Sequence, residues 1–187
     1  MTRNAARIFD EYLAASARAG DRAAFANLAE RWQPKLLAHA YRLIGEREAA
    51  RDIAQDAWAD IAKGLSRLDD ARLFPAWAYR IVTRRAADAI RRNQRTRRVK
   101  DAYAVEPMAQ DCGAATIEAN ADNAPLHAAM KALPAEQRAA IALFYMEDFS
   151  VAEIAAALNI PAGTVKTRLM HARSKLREAL ERGEENG

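Results

Sequence analysis

Apolar residues recur along most of this chain at the spacing of a helix, and no segment alternates apolar and polar residues as a half-buried strand would. Over the first hundred residues the pattern predicts four helices, beginning with a short one around Tyr12 and a longer one capped by Asp21 and ended by Gly45. A third helix stops near Gly64, and after a looser stretch the fourth runs from about Pro75 to Arg95. The pattern therefore predicts an all-α fold.

The helical periodicity is lost between about residues 97 and 123, where acidic residues, Ala, Gly and Pro replace the apolar face. It then returns in one helix, followed by another that opens at Pro134 and leads into two more. We therefore predict two small helical domains, residues 1–97 and 123–187, joined by a flexible acidic linker at residues 98–122.

The last two predicted helices meet at a hinge, Asn159-Ile160-Pro161. Ser150 and Glu153 have the spacing of a capping box, which starts the first of these helices, and the proline ends it because a helical residue before proline is disfavoured. The helix after the hinge has five Lys or Arg residues and no acid between residues 162 and 177. This pattern is typical of a helix-turn-helix, whose second helix enters the DNA major groove. An ordinary helical hairpin with a solvated basic face would have the same pattern.

Charge is segregated along the chain, although the formal net charge is only +4. Residues 80–100 contain nine Lys or Arg and one acid, Asp88, whereas residues 101–125 contain five acids and no Lys or Arg. Apolar residues at helical spacing run into the basic block, so it is predicted to be a folded face that binds a polyanion rather than a disordered tail.

The sequence lacks the residue clusters that enzymes and metal sites require. Cys112 is the only cysteine, which excludes an intramolecular disulfide, and with an adjacent acid and no nearby base it fits a linker residue better than a catalytic thiol. His39, His127 and His171 are scattered without metal-ligand spacing, and no Walker loop or zinc-deaminase motif is present. We therefore predict no catalytic residues, no cofactor and no metal.

The sequence also lacks the apolar length that membrane insertion needs. No signal peptide is visible, and the longest uncharged apolar run, residues 139–146, is far too short to span a bilayer. The prediction is a cytoplasmic protein without membrane insertion.

These features together resemble a bacterial RNA polymerase sigma factor of the extracytoplasmic-function (ECF) group, in the sigma-70 superfamily. The segments "LPAEQR", "EIAAALNIPAGTVKTRL" and "HARSKL" are similar to the group's domain that reads the promoter −35 element. "DIAQDAW" resembles its segment that docks on the polymerase clamp, and "FPAWAYRIVTRRAADAIRR" resembles its helix that melts and reads the −10 element. The resembling segments extend over about three quarters of the chain.

The resemblance implies partners and residue roles. The partners would be core RNA polymerase, through its clamp and flap regions, promoter DNA as duplex and as melted single strand, and an anti-sigma factor. Residues implied at the −35 element are Thr164, Lys166, Thr167, Arg168, His171, Arg173 and Lys175; at the −10 element Phe74, Trp77, Arg80, Arg84, Arg85, Arg91 and Arg92; and at core polymerase Asp52, Gln55 and Asp56.

The residues are chemically suited to these roles, but other interpretations exist. Aromatic rings stack on unpaired bases, yet Trp77 shares a helical face with Ile81 and would then be a core residue. Asp52 and Asp56, one turn apart, form either a docking patch or an ordinary acidic surface.

Two positions depart from the family pattern. Arg84 stands where the family often has Asn in the −10 helix, which leaves the base captured there open. Arg51 replaces a commonly acidic residue beside the clamp-binding segment.

Two other functions are alternatives to a sigma factor. A stand-alone helix-turn-helix repressor or activator would need no polymerase-binding surface, and a nucleic-acid enzyme would need chemistry that the sequence lacks.

Overall fold

The computed structural model describes residues 3–101 and 124–184 and is all-helical over these ranges, which confirms the predicted fold class. Two short 3-10 turns, Leu65–Arg67 and Ala71–Leu73, occupy the looser stretch before the fourth helix. The α-helices are α1 Arg3–Arg18, α2 Arg22–Ile44, α3 Arg47–Gly64, α4 Phe74–Asp101, α5 Ala124–Ala132, α6 Ala135–Tyr145, α7 Val151–Leu158 and α8 Ala162–Glu184.

Local capping interactions begin and end helix α2 where the sequence predicted. The Asp21 carboxylate accepts hydrogen bonds from the backbone N–H groups of Ala23 and Ala24 at 2.8 and 3.0 Å. Gly45 ends the helix in the left-handed region, with φ of 81°, where a side chain would be strained.

Helix α4 is longer than predicted. It begins at Phe74 and continues to Asp101, past the predicted end at Arg95 and into the first residues of the predicted linker. Arg, Lys and Gln are good helix formers, so the helix continues where its apolar face has ended. The remainder of the predicted linker, residues 102–122, lies outside the described residues.

The hinge between α7 and α8 has the predicted local structure. The Ser150 side chain accepts from Glu153 N, and the Glu153 carboxylate accepts from Ser150 N, so the capping box is confirmed. Asn159 then turns the chain in the left-handed region with φ of 54°. The carbonyl of Pro161 accepts the first bond of α8 from Val165 N at 3.1 Å, which places Pro161 just before the helix rather than inside it.

The two halves of the chain pack against each other, with α7 against α4 and α6 against α2. Phe149, in the connection before α7, is buried, and its ring meets the buried Tyr79 ring edge-on at 5.4 Å. Beside this contact Lys35 pairs with Glu147 at 3.7 Å, and Arg7 pairs with Glu153 at 2.9 Å. The sequence pattern had indicated two separate helical units, whereas the buried residues of both form one continuous apolar cluster.

Within the described residues, none of the helices combines the length and the apolar character needed to traverse a bilayer.

Candidate nucleic-acid interface

One face of α4 carries a stripe of cationic side chains with an aromatic ring at its start. This arginine stripe consists of Trp77, Arg80, Arg84 and Arg91, whose spacing places them on the same side of the helix. The four side chains line a cleft of about 500 Å³. Its opposite wall is the end of α7, formed by Ala157, Leu158 and Asn159.

Two of the α4 arginines are held by an acidic residue on the neighbouring helix α3. Arg85 donates to both oxygens of the Asp60 carboxylate, at 2.7 and 2.8 Å, and Arg84 donates to the same carboxylate at 3.2 Å. The hydrogen bond from Arg85 lowers the pKa of Asp60, and the charges of both arginines act in the same direction. The carboxylate therefore remains ionised and fixes the direction of both guanidinium groups.

The two aromatic residues predicted at the −10 element lie in different environments. Trp77 is half-buried and lines the cleft, and its ring lies against Gly64, where a Cβ atom would be 2.9 Å from Trp77 Cζ2. Phe74 is fully buried and packs edge-on against Trp32 at 5.3 Å. In this structure Phe74 is therefore a core residue with no face open to a base, because it starts α4 on the side that turns toward α2.

The remaining predicted −10 arginines differ in their surroundings. Arg80 and Arg92 are exposed, and Arg91 forms an ion pair with Asp88 one turn earlier on α4. Arg85 is largely covered because it turns toward α3, where its Nη1 also lies 3.3 Å from Asp56 Oδ2.

The predicted polymerase-binding residues lie on the outer side of α3. Asp52, Gln55 and Asp56 are all exposed, one turn or less apart, so they form a contiguous polar surface. Asp56 forms an ion pair with Arg85, whereas Asp52 has no ion pair among the described residues.

Helix α8 buries one narrow face and exposes the rest. Val165, Leu169 and Ala172 pack into the core of the second half. By helical periodicity the opposite, exposed face has Thr167 and His171 at its centre. Cations flank this centre on both sides, with Lys166 and Arg173 along one edge and Arg168 and Lys175 along the other; Thr164 is half-buried beside them.

Two cations of α8 contact helix α6. Arg168, with a side chain 21% exposed, pairs with Glu136. Arg173 donates to the Tyr145 hydroxyl at 3.0 Å and lies 5.2 Å from the centre of the Phe144 ring. Lys166, His171 and Lys175 are also exposed. Among the described residues, these three side chains have no ion pair or hydrogen bond of this kind with α6.

The histidine under the domain contact is structural. His39 is fully buried, and its Nε2 lies 3.0 Å from the Thr83 hydroxyl, which itself donates to the Tyr79 carbonyl at 2.8 Å. The Thr83 proton is thus already used, so His39 Nε2 donates to the Thr83 oxygen. Burial lowers the pKa of His39 to about 3, and the nearby Arg42 charge acts in the same direction.

Sequence reasoning missed the residues that position the α4 side chains, namely Asp60 and Gly64. Their signal was present, because Asp56, Asp60 and Gly64 recur every four residues on α3 and so lie on one face. That this face meets the arginines of α4 depends on the packing of the two helices. Within the described part of the chain, no three His, Cys, Asp or Glu side chains cluster as metal ligands would.

The geometry defines a nucleic-acid-binding protein with two separate cationic surfaces, and comparisons with known proteins identify its family. The sigma-70 region 2 model matches residues 28–96, and the sigma-70 region 4 model matches residues 124–176. The ECF RNA polymerase sigma factor SigW of Bacillus subtilis is 32% identical over 86% of this chain and 91% of its own length. SigM of Mycobacterium tuberculosis is 31% identical over 91% of this chain and 84% of its own length.

Two solved structures share the arrangement of helices. One is the sigma factor RpoE of Bartonella quintana in complex with the anti-sigma factor NepR, with a TM-score of 0.69 and 25% identity over 84% of this chain and 96% of that chain. The other is CnrH in complex with the cytosolic domain of CnrY, with a TM-score of 0.64 and 27% identity over 92% and 97% of the two chains.

The chain belongs to the ECF RNA polymerase sigma factors of the sigma-70 family. Its function is that of a sigma factor, which directs transcription initiation by RNA polymerase, and the resemblance seen in the sequence is confirmed. Sigma factors are transcription regulators rather than enzymes.

Proposed function

We propose that the two halves of this sigma factor divide promoter recognition. Residues 1–97 dock on the clamp of core RNA polymerase and hold the melted −10 strand, whereas residues 123–187 read the −35 duplex and meet the flap. The observation that carries the proposal is the presence of two separate cationic surfaces, the arginine stripe of α4 and the exposed face of α8.

The surface of α4 suits a single strand. Trp77 offers an aromatic ring for base stacking, and the arginines of the same stripe supply charge for the phosphates on either side. The exposed face of α8 suits a duplex instead, because Thr167 and His171 at its centre are flanked by cations on both edges. A helix in a major groove meets base edges along its middle and phosphates along its sides.

The acidic surface of α3 is proposed to bind core polymerase. Asp52 and Gln55 are exposed, so their polar atoms are available to a basic partner surface.

The closed arrangement of the halves has a consequence for promoter binding. The −35 and −10 elements are separated, as their names state, by about 25 base pairs, or roughly 85 Å along B-form DNA. A compact chain of this length has a radius of gyration of about 16 Å, so it cannot reach both elements at once. The contact between Phe149 and Tyr79 must therefore open before both elements are bound.

We also infer an inhibitory partner and a cellular location. The sigma factor RpoE of Bartonella quintana is bound by the anti-sigma factor NepR, and CnrH is bound by the cytosolic domain of CnrY. By this likeness we propose that the present chain binds an anti-sigma factor as well. The site of action is the cytoplasm, where polymerase and the chromosome are found. No cofactor and no catalytic step are part of the proposal.

Transcription with purified core polymerase tests the proposal. Run-off transcripts from a genomic promoter library are expected only when this chain is added, and their start sites define the two elements. Asp52→Lys should weaken core binding and lower transcript yield about tenfold, because it places a cation against a basic surface. Glu30→Lys, an equal charge change at an exposed position on α2, is the matched control.

Two results would contradict this division of roles. Core affinity that is equal in Asp52→Lys and in the unchanged chain would remove the docking role of α3. Limited proteolysis that fails to cut between residues 97 and 123 would argue against two separable halves.

A further inference from the structure

Two residues of α3 position the two groups of α4 that face a single strand. Asp60 and Gly64 are one helical turn apart, and each acts on a different neighbour. Asp60 holds the Arg84 guanidinium at 3.2 Å, and Gly64 leaves the space that the Trp77 ring occupies. Trp77 and Arg84 together line two clefts, of about 500 and 360 Å³.

The pairing with Asp60 fixes the orientation of the Arg84 guanidinium and of its remaining N–H donors. Arg84 uses one N–H of Nη2 for the carboxylate, so four of the five guanidinium donors remain. Its side chain is 65% exposed, although one end is anchored. The bidentate bond from Arg85 in turn holds Asp60 itself, at 2.7 and 2.8 Å. The result is an oriented guanidinium beside an aromatic ring.

An oriented guanidinium distinguishes between bases. Guanine presents two acceptors, N7 and O6, on one edge, which match two parallel N–H donors. On that edge adenine presents an acceptor next to a donor, cytosine a donor, and thymine a single acceptor. An unpaired cytosine also exposes two adjacent acceptors, O2 and N3, on its Watson–Crick edge, so guanine and cytosine both match two parallel donors. Of these two bases, guanine has the larger ring surface to stack on Trp77. Trp77 and Arg84 line the same cleft, so a base stacked on Trp77 would lie on the same side of α4 as the Arg84 guanidinium.

We propose that Arg84, positioned by Asp60, selects a guanine in the melted −10 strand, with Trp77 seated against Gly64 as the stacking surface. This inference rests on the proposed role of α4, which is to hold the melted −10 strand, and it adds the identity of the base that α4 binds. Asp60 is a positioning residue, because it acts only through the arginines that it holds.

Asp60 also limits non-specific binding by the same surface. Arg80, Arg84 and Arg91 lie on one stripe, and their positive charges attract phosphates of any sequence. Arg91 is already paired with Asp88. The negative charge of Asp60 offsets part of this attraction for phosphates. The remaining N–H donors of Arg84 are then available to the hydrogen-bonding edge of a base.

The test uses the complex of the full chain with core polymerase and fluorescent single-stranded −10 oligonucleotides. Each position is occupied in turn by guanine, adenine, cytosine, thymine or 7-deazaguanine, which lacks the N7 acceptor. We expect guanine to bind about ten- to a hundred-fold more tightly than the other natural bases at one position. 7-Deazaguanine at that position should lose most of the preference.

The variants separate edge reading from stacking and from charge. Arg84→Lys keeps the charge and should lose most of the guanine preference. Asp60→Asn should raise affinity for all strands while lowering the preference to a few-fold. Gly64→Ala should displace Trp77 and weaken all bases alike without changing the ratio. Glu30→Gln, with the same charge change as Asp60→Asn, should leave the ratio unaltered.

The outcomes keep this proposal distinct from the sigma-factor role. A complex that initiates transcription but binds guanine and 7-deazaguanine equally at every position would overturn the assignment of Arg84 alone. An unchanged guanine preference in Arg84→Lys would overturn it too. Failure of the unchanged chain to bind core polymerase or any promoter would count against the proposed function instead. The 7-deazaguanine arm uses the unchanged chain, so it stands even if Asp60→Asn fails to fold.

Discussion

The two halves of the molecule are both helical, but buried aromatic rings are concentrated in the core of the first half. The first half packs large rings together, with Trp32 lying 5.3 Å from Phe74 and 5.8 Å from Tyr79, and Tyr79 lying 4.9 Å from His39. Among the described residues of the second half, Phe149 is the one buried aromatic side chain, while alanines make up a similar share of the buried positions in both halves.

This difference indicates which half depends on the other. A buried aromatic side chain removes far more apolar area from water than an alanine does, so the first half has the larger hydrophobic stabilisation. The ring of Phe149, which completes the core of the second half, is packed on Tyr79 of the first. The helix-turn-helix is therefore expected to gain stability from the closed arrangement, and opening it should have a measurable cost.

The largest effect is expected from removing the ring that joins the halves. Phe149→Ala should lower the free energy of unfolding by about 3–5 kcal/mol, because it leaves a cavity against Tyr79. It should also raise the radius of gyration measured by small-angle X-ray scattering. Met146→Ala, at an exposed position three residues earlier, is the matched control. An unchanged radius and a loss below 1 kcal/mol would show that the halves do not depend on this contact.

A second prediction concerns α8, the helix proposed to read the −35 duplex. Arg168→Ala is expected to cost about 1–3 kcal/mol in binding to the preferred −35 duplex and much less on scrambled DNA, if Arg168 leaves Glu136 to reach a base. Lys175→Ala should weaken both duplexes alike and reduce the log–log salt slope by about 0.9. Fluorescence anisotropy of the polymerase complex across a salt series measures both. Equal losses on both duplexes for Arg168→Ala would mean that this helix is only an electrostatic clamp.

A third prediction uses pH to act on the first half. His39 is neutral when folded, with its pKa lowered to about 3, whereas an unfolded histidine has a pKa near 6.5. Below about pH 6.5 the unfolded chain binds a proton that the folded chain does not, so stability falls as pH falls toward 3. Between pH 6 and pH 5 this one residue should lower the free energy of unfolding by about 1 kcal/mol.

The control for the pH effect is a comparison of two histidine variants in urea unfolding. His39→Gln should reduce the change between pH 6 and pH 5, while His171→Gln, at an exposed position, should retain it. If both variants behave alike, His39 is not the source of the pH dependence.

The smallest effect is expected from the ion pair beside the Phe149 contact. Lys35 and Glu147 lie 3.7 Å apart, and the Glu147 side chain is 11% exposed. A double-mutant cycle with Lys35→Met and Glu147→Gln should give a coupling of about 0.5–1 kcal/mol, which weakens as salt increases. A coupling of zero would leave the apolar contact as the main link between the halves.

Much of the fold was predictable from the sequence because helices are specified locally. The Asp21 cap, the Gly45 end and the capping box of Ser150 and Glu153 involve residues two to four apart, so their partners can be read from the printed chain. The same holds for the helix-turn-helix and for the cationic edges of α8. The candidate surfaces could therefore be named from sequence, although their residue roles stay predictions.

Other features were decided by tertiary structure alone. Phe74 looked suited to base stacking, but helix packing buries it against Trp32. The carboxylate that holds Arg84 and Arg85 comes from Asp60, more than twenty residues earlier in the chain. The docking of Phe149 on Tyr79 joins halves that the sequence pattern separates. Local periodicity states which side of a helix is apolar, but it does not state which helix that side will meet, and these three features all depend on that choice.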